Sequence, residues 1–207
     1  MPFMVVLEGI DKAGKSTQAN LLRDALTSMG YRCNIMSFPD YSTHIGREIY
    51  GFLHGDRDYP LQVKHMLLSA NRWEKKDIIE QVLRESDYLI MNRYYQSNLV
   101  YGYIHNLELD WLENLDRGLP KEDLVIVIDV SVNEAMRRME EREEESNSRS
   151  RYARDRFEDV DTLSKASLAY RVLAERYGWI VVDGNRSREC VHKDILDTVI
   201  KKSGYTE

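Results

Sequence analysis

Leu7-Glu8-Gly9-Ile10-Asp11-Lys12-Ala13-Gly14-Lys15-Ser16-Thr17-Gln18 is the stretch whose reading decides the fold. Positions 9 to 16 match the G-x-x-x-x-G-K-[ST] pattern of a Walker A phosphate loop. Gly9 and Gly14 permit backbone torsions that side chains resist, so the N–H groups of Ile10, Asp11, Lys12, Ala13, Ser16 and Thr17 can turn toward phosphate oxygens. Lys15 would reach the β and γ phosphates, and the Ser16 hydroxyl would sit on Mg²⁺. An apolar run, Phe3–Leu7, leads into the loop, and a helical pattern, Lys15–Met29, leads out of it. The helix would add the positive end of its dipole. A plain glycine-containing βα turn with an exposed lysine is the bland alternative. The strand-to-helix context favours a nucleoside triphosphate. The Asn-Lys-x-Asp signature of a guanine-reading GTPase is missing.

Outward from the loop, short apolar runs alternate with helical patterns. Phe3–Leu7, Cys33–Phe38, Tyr88–Met91, Leu124–Val130 and Trp179–Val182 are nearly unbroken by polar residues, as a parallel sheet covered on both faces requires. Helices are predicted over Lys15–Met29, from Pro60 to about Ser86, over Leu163–Tyr177 and over Val191–Ile200, with Gly30 and Gly178 as stops. The expectation is an α/β, three-layer fold: a parallel five-stranded sheet with helices on both faces and ligands at the strands' carboxyl ends. No repeat, linker or boundary interrupts residues 1–207, so a single domain is expected.

Composition narrows the partners. The net charge is −6, with 29 Lys and Arg against 35 Asp and Glu, which disfavours a protein built to bind nucleic acid. Any polyanion must meet a local positive cluster, which suits small phosphorylated ligands. No run approaches the roughly 18 apolar residues of a membrane span. No basic leader precedes a cleavage site, and Cys33 and Cys190 fit free thiols. A cytoplasmic protein with no membrane partner is expected. The five histidines show no ligand spacing and are given no role.

Further motifs follow in order: Phe38-Pro39, Ser42-Thr43, Ile45-Gly46, Leu67, Ser69-Ala70-Asn71-Arg72-Trp73-Glu74, Arg93-Tyr94, Ser97-Asn98, Tyr101, Gly118-Leu119-Pro120-Lys121 and Asp155-Arg156-Phe157-Glu158. Together with the phosphate loop they resemble the thymidylate kinase family of P-loop nucleoside monophosphate kinases over about residues 3 to 200. The resemblance implies a P-loop kinase fold with a mobile lid at about 140–157, transfer of the γ-phosphoryl group of ATP to dTMP, Mg²⁺ as cofactor, and a homodimer. It implies that Asp11, Phe38, Pro39, Leu68, Arg72, Arg93, Ser97, Asn98 and Tyr101 bind dTMP. Arg93 would fork onto its phosphate and Asp11 would accept from the sugar 3′-hydroxyl. Arg72 and Asn98 would read the base, and Tyr101 would lie under the deoxyribose. The bland alternatives are a surface salt bridge of Arg72 with Asp77 or Glu74, and a helix cap or solvent contact for Asn98.

After the acidic run Glu140–Glu145 come Arg149, Arg151, Arg154 and Arg156. In the lid, Arg149, Arg151 and Arg154 would join Lys12, Lys15 and Arg93 in stabilising the charge of the moving group. Arg138 would pack on adenine and Asn185 would lie in the loop against it. No general base is needed, because a phosphate monoester with a second pKa of about 6 is already mostly dianionic at neutral pH. Three positions depart from the family pattern. Leu68 stands where a Phe commonly stacks on thymine, Asn92 where an Asp is usual, and Tyr41 where some relatives carry an arginine. Asn92, Glu8 or Asp11 would hold the metal through water. The departures leave two alternatives: a kinase for another deoxynucleoside monophosphate such as dUMP, or a nucleotide-binding regulator with weak or no turnover.

Overall fold

The computed structural model describes residues 2–145 and 160–204. In chain order the elements are β1 (Phe3–Glu8), α1 (Lys15–Ser28), β2 (Cys33–Ser37), α2 (His44–Leu53), α3 (Leu61–Trp73), α4 (Lys76–Glu85), β3 (Tyr88–Asn92), α5 (Tyr95–Tyr103), α6 (Leu109–Leu115), β4 (Leu124–Asp129), α7 (Val132–Glu145), α8 (Val160–Tyr177), β5 (Ile180–Asp183) and α9 (Arg188–Ser203). The five strands form one parallel sheet in the order β2-β3-β1-β4-β5.

β1 lies at the centre, and all six of its residues are buried. Phe3, Val5 and Leu7 join the larger core cluster with Leu22 and Leu26 of α1 and Ile195 of α9. Met4 and Val6 join a second cluster with Ile79 of α4. Alternate side chains of one strand thus feed two packed layers. Each such aliphatic side chain contributes about 1.5–3 kcal/mol by leaving water. Satellite packing of Ile49, Phe52 and Leu53 with Leu67 and Leu68 fixes α2 against α3.

The helix expected from Pro60 to Ser86 is two helices. α3 ends at Trp73, whose indole N–H donates to the Leu115 carbonyl, and α4 restarts at Lys76. At the break, the Lys75 ammonium pairs with Asp40 at 2.8 Å. Helices α2, α5, α6 and α7 extend the expected set, and among the described residues no helix is long and apolar enough to cross a membrane.

The topology reverses direction at β1. The sheet runs from β1 to β3 and β2 on one side and to β4 and β5 on the other. Ligand crevices open at such a switch point, beyond the strands' carboxyl ends, where residues 9–16 and 92–98 lie.

Candidate active site

The loop after β1 has the torsions its sequence foreshadows. Gly9 adopts φ 139°, and a Cβ there would lie 2.5 Å from the Ile128 carbonyl oxygen. Gly14 caps α1 at φ 96°. Both positions exclude larger residues. α1 carries no acid in its first turn, so its positive end faces the loop uncompensated. Lys15 is buried, and its ammonium donates to the carbonyls of Gly9 at 3.0 Å and Ile10 at 2.8 Å. Burial, reinforced by the nearby Arg93 guanidinium, pulls its pKa down to about 7.

Glu8 was a candidate for holding a metal through water, and the structure corrects this. Its side chain has no exposed surface, and both carboxylate oxygens are committed within the protein. Oε1 accepts from the backbone N–H groups of Tyr94 (2.9 Å) and Ser97 (3.1 Å), capping α5 from β1. Oε2 accepts from the Ser97 hydroxyl (2.7 Å) and the Tyr170 phenol (2.8 Å). Four donors hold this buried charge and fix the loop between β3 and α5. Burial, with Glu8 alongside, raises the Tyr170 pKa well above the usual phenol value, so it stays a donor.

That loop carries Arg93 at φ 66°, a left-handed torsion that costs a non-glycine residue about 1–2 kcal/mol. Its guanidinium pairs with Asp11 and donates to the Ser97 hydroxyl (2.9 Å) and the Tyr170 oxygen (3.2 Å). It also lies over the Tyr101 ring, 6.0 Å from its centroid. Burial alone would raise the Asp11 carboxyl, but Arg93, then Lys15 and Lys12, outweigh it and hold Asp11 below its ordinary value. Backbone strain at an arginine that β1, α5 and α8 jointly restrain points to a functional position.

Two cavities meet at this Asp11–Arg93 pair. The larger, about 950 Å³, runs from the phosphate loop between α7 and residues 184–188, and includes Asn92. The smaller is lined by Phe38, Pro39, Tyr41, Leu53, Leu68, Arg72, Tyr94, Ser97, Asn98 and Tyr101, again with Asp11 and Arg93. All nine residues expected to contact the second nucleotide thus line one pocket. Arg72 makes neither expected surface pair: it is 3% exposed, and its Nε and Nη2 donate to the Asp116 carboxylate at 2.9 and 2.7 Å. Ser69 also donates to Asp116, at 2.9 Å. Asn98 is 1% exposed, neither a cap nor a solvent contact, and pairs with the buried His65. Asp116 and His65 line neither cavity but hold these two candidate residues in place, and sequence reasoning missed both. They lie 44 and 33 positions from their partners and carry no motif.

On the other side of the larger cavity, Arg138 is held by Glu134 (2.8 Å) and donates to the carbonyls of Ala13 (3.3 Å) and Gly184 (2.8 Å). It therefore ties α7 to both loops that border the cleft. Asn185 accepts from the Ser131 N–H at 2.9 Å, shaping the loop after β5. The Ser16 hydroxyl accepts from Asn92 Nδ2 at 3.0 Å, and the other amide atom, Asn92 Oδ1, is buried with no hydrogen-bond partner. An orphaned oxygen beside a phosphate-loop serine fits a hard cation that arrives with a polyphosphate. Among the described residues, no group of three His, Cys, Asp or Glu could hold a metal by itself. Arg149, Arg151 and Arg154, with most of the expected lid, lie outside the described residues.

One cavity with a polyphosphate cradle, joined to a second through a shared arginine, suits transfer between two anionic ligands rather than simple hydrolysis, and defines a P-loop nucleotide kinase. Comparison with known proteins narrows the class. The family model described as thymidylate kinase matches residues 7–195. A thymidylate kinase of Homo sapiens is 34% identical over 195 residues, covering 93% of this chain and 87% of that protein. One of Danio rerio is 36% identical over 197 residues, covering 94% and 88%. A solved thymidylate kinase structure from Candida albicans superposes with a TM-score of 0.80 at 25% identity, covering 98% of this chain and 93% of that one. The chain belongs to the thymidylate kinase family.

Proposed function

We propose that the protein transfers the γ-phosphoryl group of ATP to dTMP, giving dTDP and ADP. The observation that carries this reading is the Asp11–Arg93 pair at the junction of the two cavities. ATP lies along the phosphate loop, with Lys15 leaving its carbonyl partners for the β and γ phosphates and Lys12 beside it. dTMP enters the smaller pocket. Arg93 exchanges Asp11 for the nucleotide's phosphate, and Asp11 turns to the sugar 3′-hydroxyl. Arg72 offers Nη1 to a base carbonyl, since Nε and Nη2 are tied to Asp116. Tyr101 closes the floor under the sugar and disfavours a 2′-hydroxyl. Leu68 gives the base an apolar contact in place of an aromatic stack.

The attacking phosphate is already dianionic, so no side chain has to remove a proton. Catalysis comes from alignment and from positive charge set where negative charge develops. Arg93 and Lys15 supply it from the walls, and Arg149, Arg151 and Arg154 supply the rest. Mg²⁺ carried by ATP would be held by the Ser16 hydroxyl and Asn92 Oδ1, and neutralises phosphate charge.

The test is to offer the purified protein ATP and Mg²⁺ with dTMP, dUMP, dCMP, dGMP, dAMP or UMP, and to follow ADP release. The highest kcat/KM is expected for dTMP, and EDTA should abolish turnover. A different preferred nucleotide would assign the site to that substrate. Silence with intact ATP binding would mark a regulator.

A further inference from the structure

Asn98 on α5 lines the smaller pocket and forms a reciprocal pair with His65 on α3, the two being 1% and 2% exposed. The amide Oδ1 lies 2.5 Å from the imidazole Nδ1, and the amide Nδ2 donates to the carbonyl oxygen of His65 at 3.3 Å. These two contacts admit one polarity. Reversing the amide would set its oxygen against a carbonyl oxygen, two acceptors with no proton between them. Oδ1 therefore faces the ring nitrogen, and Nδ1 must carry the hydrogen. Burial pushes the imidazole pKa down to about 4, so at neutral pH the ring donates as a neutral tautomer.

A primary amide is an ambiguous reader of pyrimidines. In one orientation its oxygen and nitrogen complement an N3–H donor beside a carbonyl, the edge of thymine or uracil. Rotated by half a turn, they complement an N3 acceptor beside an amino group, the edge of cytosine. Rotation about the last torsion of asparagine is soft, so an unrestrained side chain could serve both. We propose that His65 is a specificity-determining positioning residue, whose Nδ1–H and backbone carbonyl together lock Asn98 in the orientation that reads an N3–H base and rejects an N3-acceptor base. The inference rests on Asn98 as a base contact of the nucleotide monophosphate. Oδ1 keeps a second lone pair, which accepts from an N3–H base and repels the lone pair of an N3-acceptor base. His65 acts only through Asn98.

The experiment compares kcat/KM for dTMP and dCMP, at saturating ATP and Mg²⁺, in the natural protein, His65→Leu and His65→Asn. His65→Leu should raise the dCMP-to-dTMP ratio about 10-fold, chiefly through KM for dTMP and with kcat little changed, as expected for a lost buried hydrogen bond that fixes a substrate contact. His65→Asn, which can return an N–H donor, should move the ratio back toward the natural value. Equal losses on both nucleotides, or an unchanged ratio, would overturn the proposal. Should His65→Leu fail to fold, ¹⁵N spectra of histidine-labelled natural protein at pH 7 decide instead. A neutral Nδ1–H tautomer at His65 is expected, and an Nε2–H tautomer or a charged ring would overturn the lock. A natural protein that favours dCMP over dTMP would instead overturn the base assignment itself, a failure visible before any variant is made.

Discussion

Removing the Asp116 carboxylate would separate a structural role for the smaller pocket from a binding one. The Arg72 and Asp116 side chains are each 3% exposed, and the carboxylate accepts from Arg72 twice and from Ser69 once. Asp116→Ala would strand a guanidinium in a water-poor site. Breaking a buried pair by deleting one partner costs about 3–5 kcal/mol, a large part of the roughly 5–15 kcal/mol that holds a typical domain together. Replacing both partners, as in Arg72→Leu/Asp116→Leu, should recover most of that loss because no charge is left unpaired. Function should not recover with it, since the leucine pair offers no donor to a base carbonyl. Urea unfolding gives the stability of each variant, and kcat/KM for dTMP gives the other axis. The single variant should be the least stable of the three. The double variant should approach natural stability with dTMP kcat/KM reduced about 10- to 150-fold, the scale for a lost charged hydrogen bond. A single variant within about 1 kcal/mol of the natural protein would refute the buried-pair argument, and a double variant with undiminished kcat/KM would refute the base contact.

Other consequences follow from the same geometry. Burial pulls the Lys15 pKa down to about 7 in the free protein, and a bound polyphosphate should raise it by favouring the charged form. The lysine is charged below that value and loses its proton as pH climbs, so ATP binding should take up a proton and weaken from about pH 7 upward. Calorimetry in buffers of different ionisation enthalpy reads that uptake directly, and none at pH 8 would contradict the assignment. Tyr101→Ala should narrow the preference for a deoxyribose over a ribose monophosphate by about 10-fold, and an unchanged ratio in competition assays would remove that role. Arg149→Ala/Arg151→Ala/Arg154→Ala should lower kcat by about 10³ with ATP affinity nearly retained. A fall confined to KM would make those arginines binding residues.

What was legible in the sequence was local. The phosphate loop announces itself because glycine, lysine and serine must stand at fixed spacing along one turn. The central strands β1, β3 and β4 announce themselves because burial on both faces leaves little room for polar residues, whereas the edge strands β2 and β5 are only partly buried. Although α2 is not among the helices expected from the sequence, its start was open to reading, since the Thr43 hydroxyl accepts from the Gly46 N–H at 2.8 Å, a cap at ordinary spacing. The start of α5 was not, because Glu8 caps it from β1, 86 to 89 positions earlier. For the same reason Glu8 passed for a metal candidate: an acid beside a phosphate loop has two uses, and only the position of Tyr94, Ser97 and Tyr170 decides between them. Arg72 shows the limit most plainly. The expected neighbours, Glu74 and Asp77, lie two and five positions away, whereas the partner, Asp116, came from the end of α6. The break between α3 and α4 was hidden because the buried positions Ser69, Arg72 and Ile79 keep helical spacing across Glu74 and Lys75.

Arg93 is the proposed contact between the two nucleotides, and where its guanidinium goes on binding decides the mechanism. The direct measurement is a crystal structure with dTMP and a non-hydrolysable ATP analogue bound together with Mg²⁺. The guanidinium of Arg93 should have left Asp11 and lie within hydrogen-bond distance of the dTMP phosphate, with the analogue's γ phosphate at Lys15 on the same line. An Arg93 still paired to Asp11, with the monophosphate bound elsewhere, would contradict it.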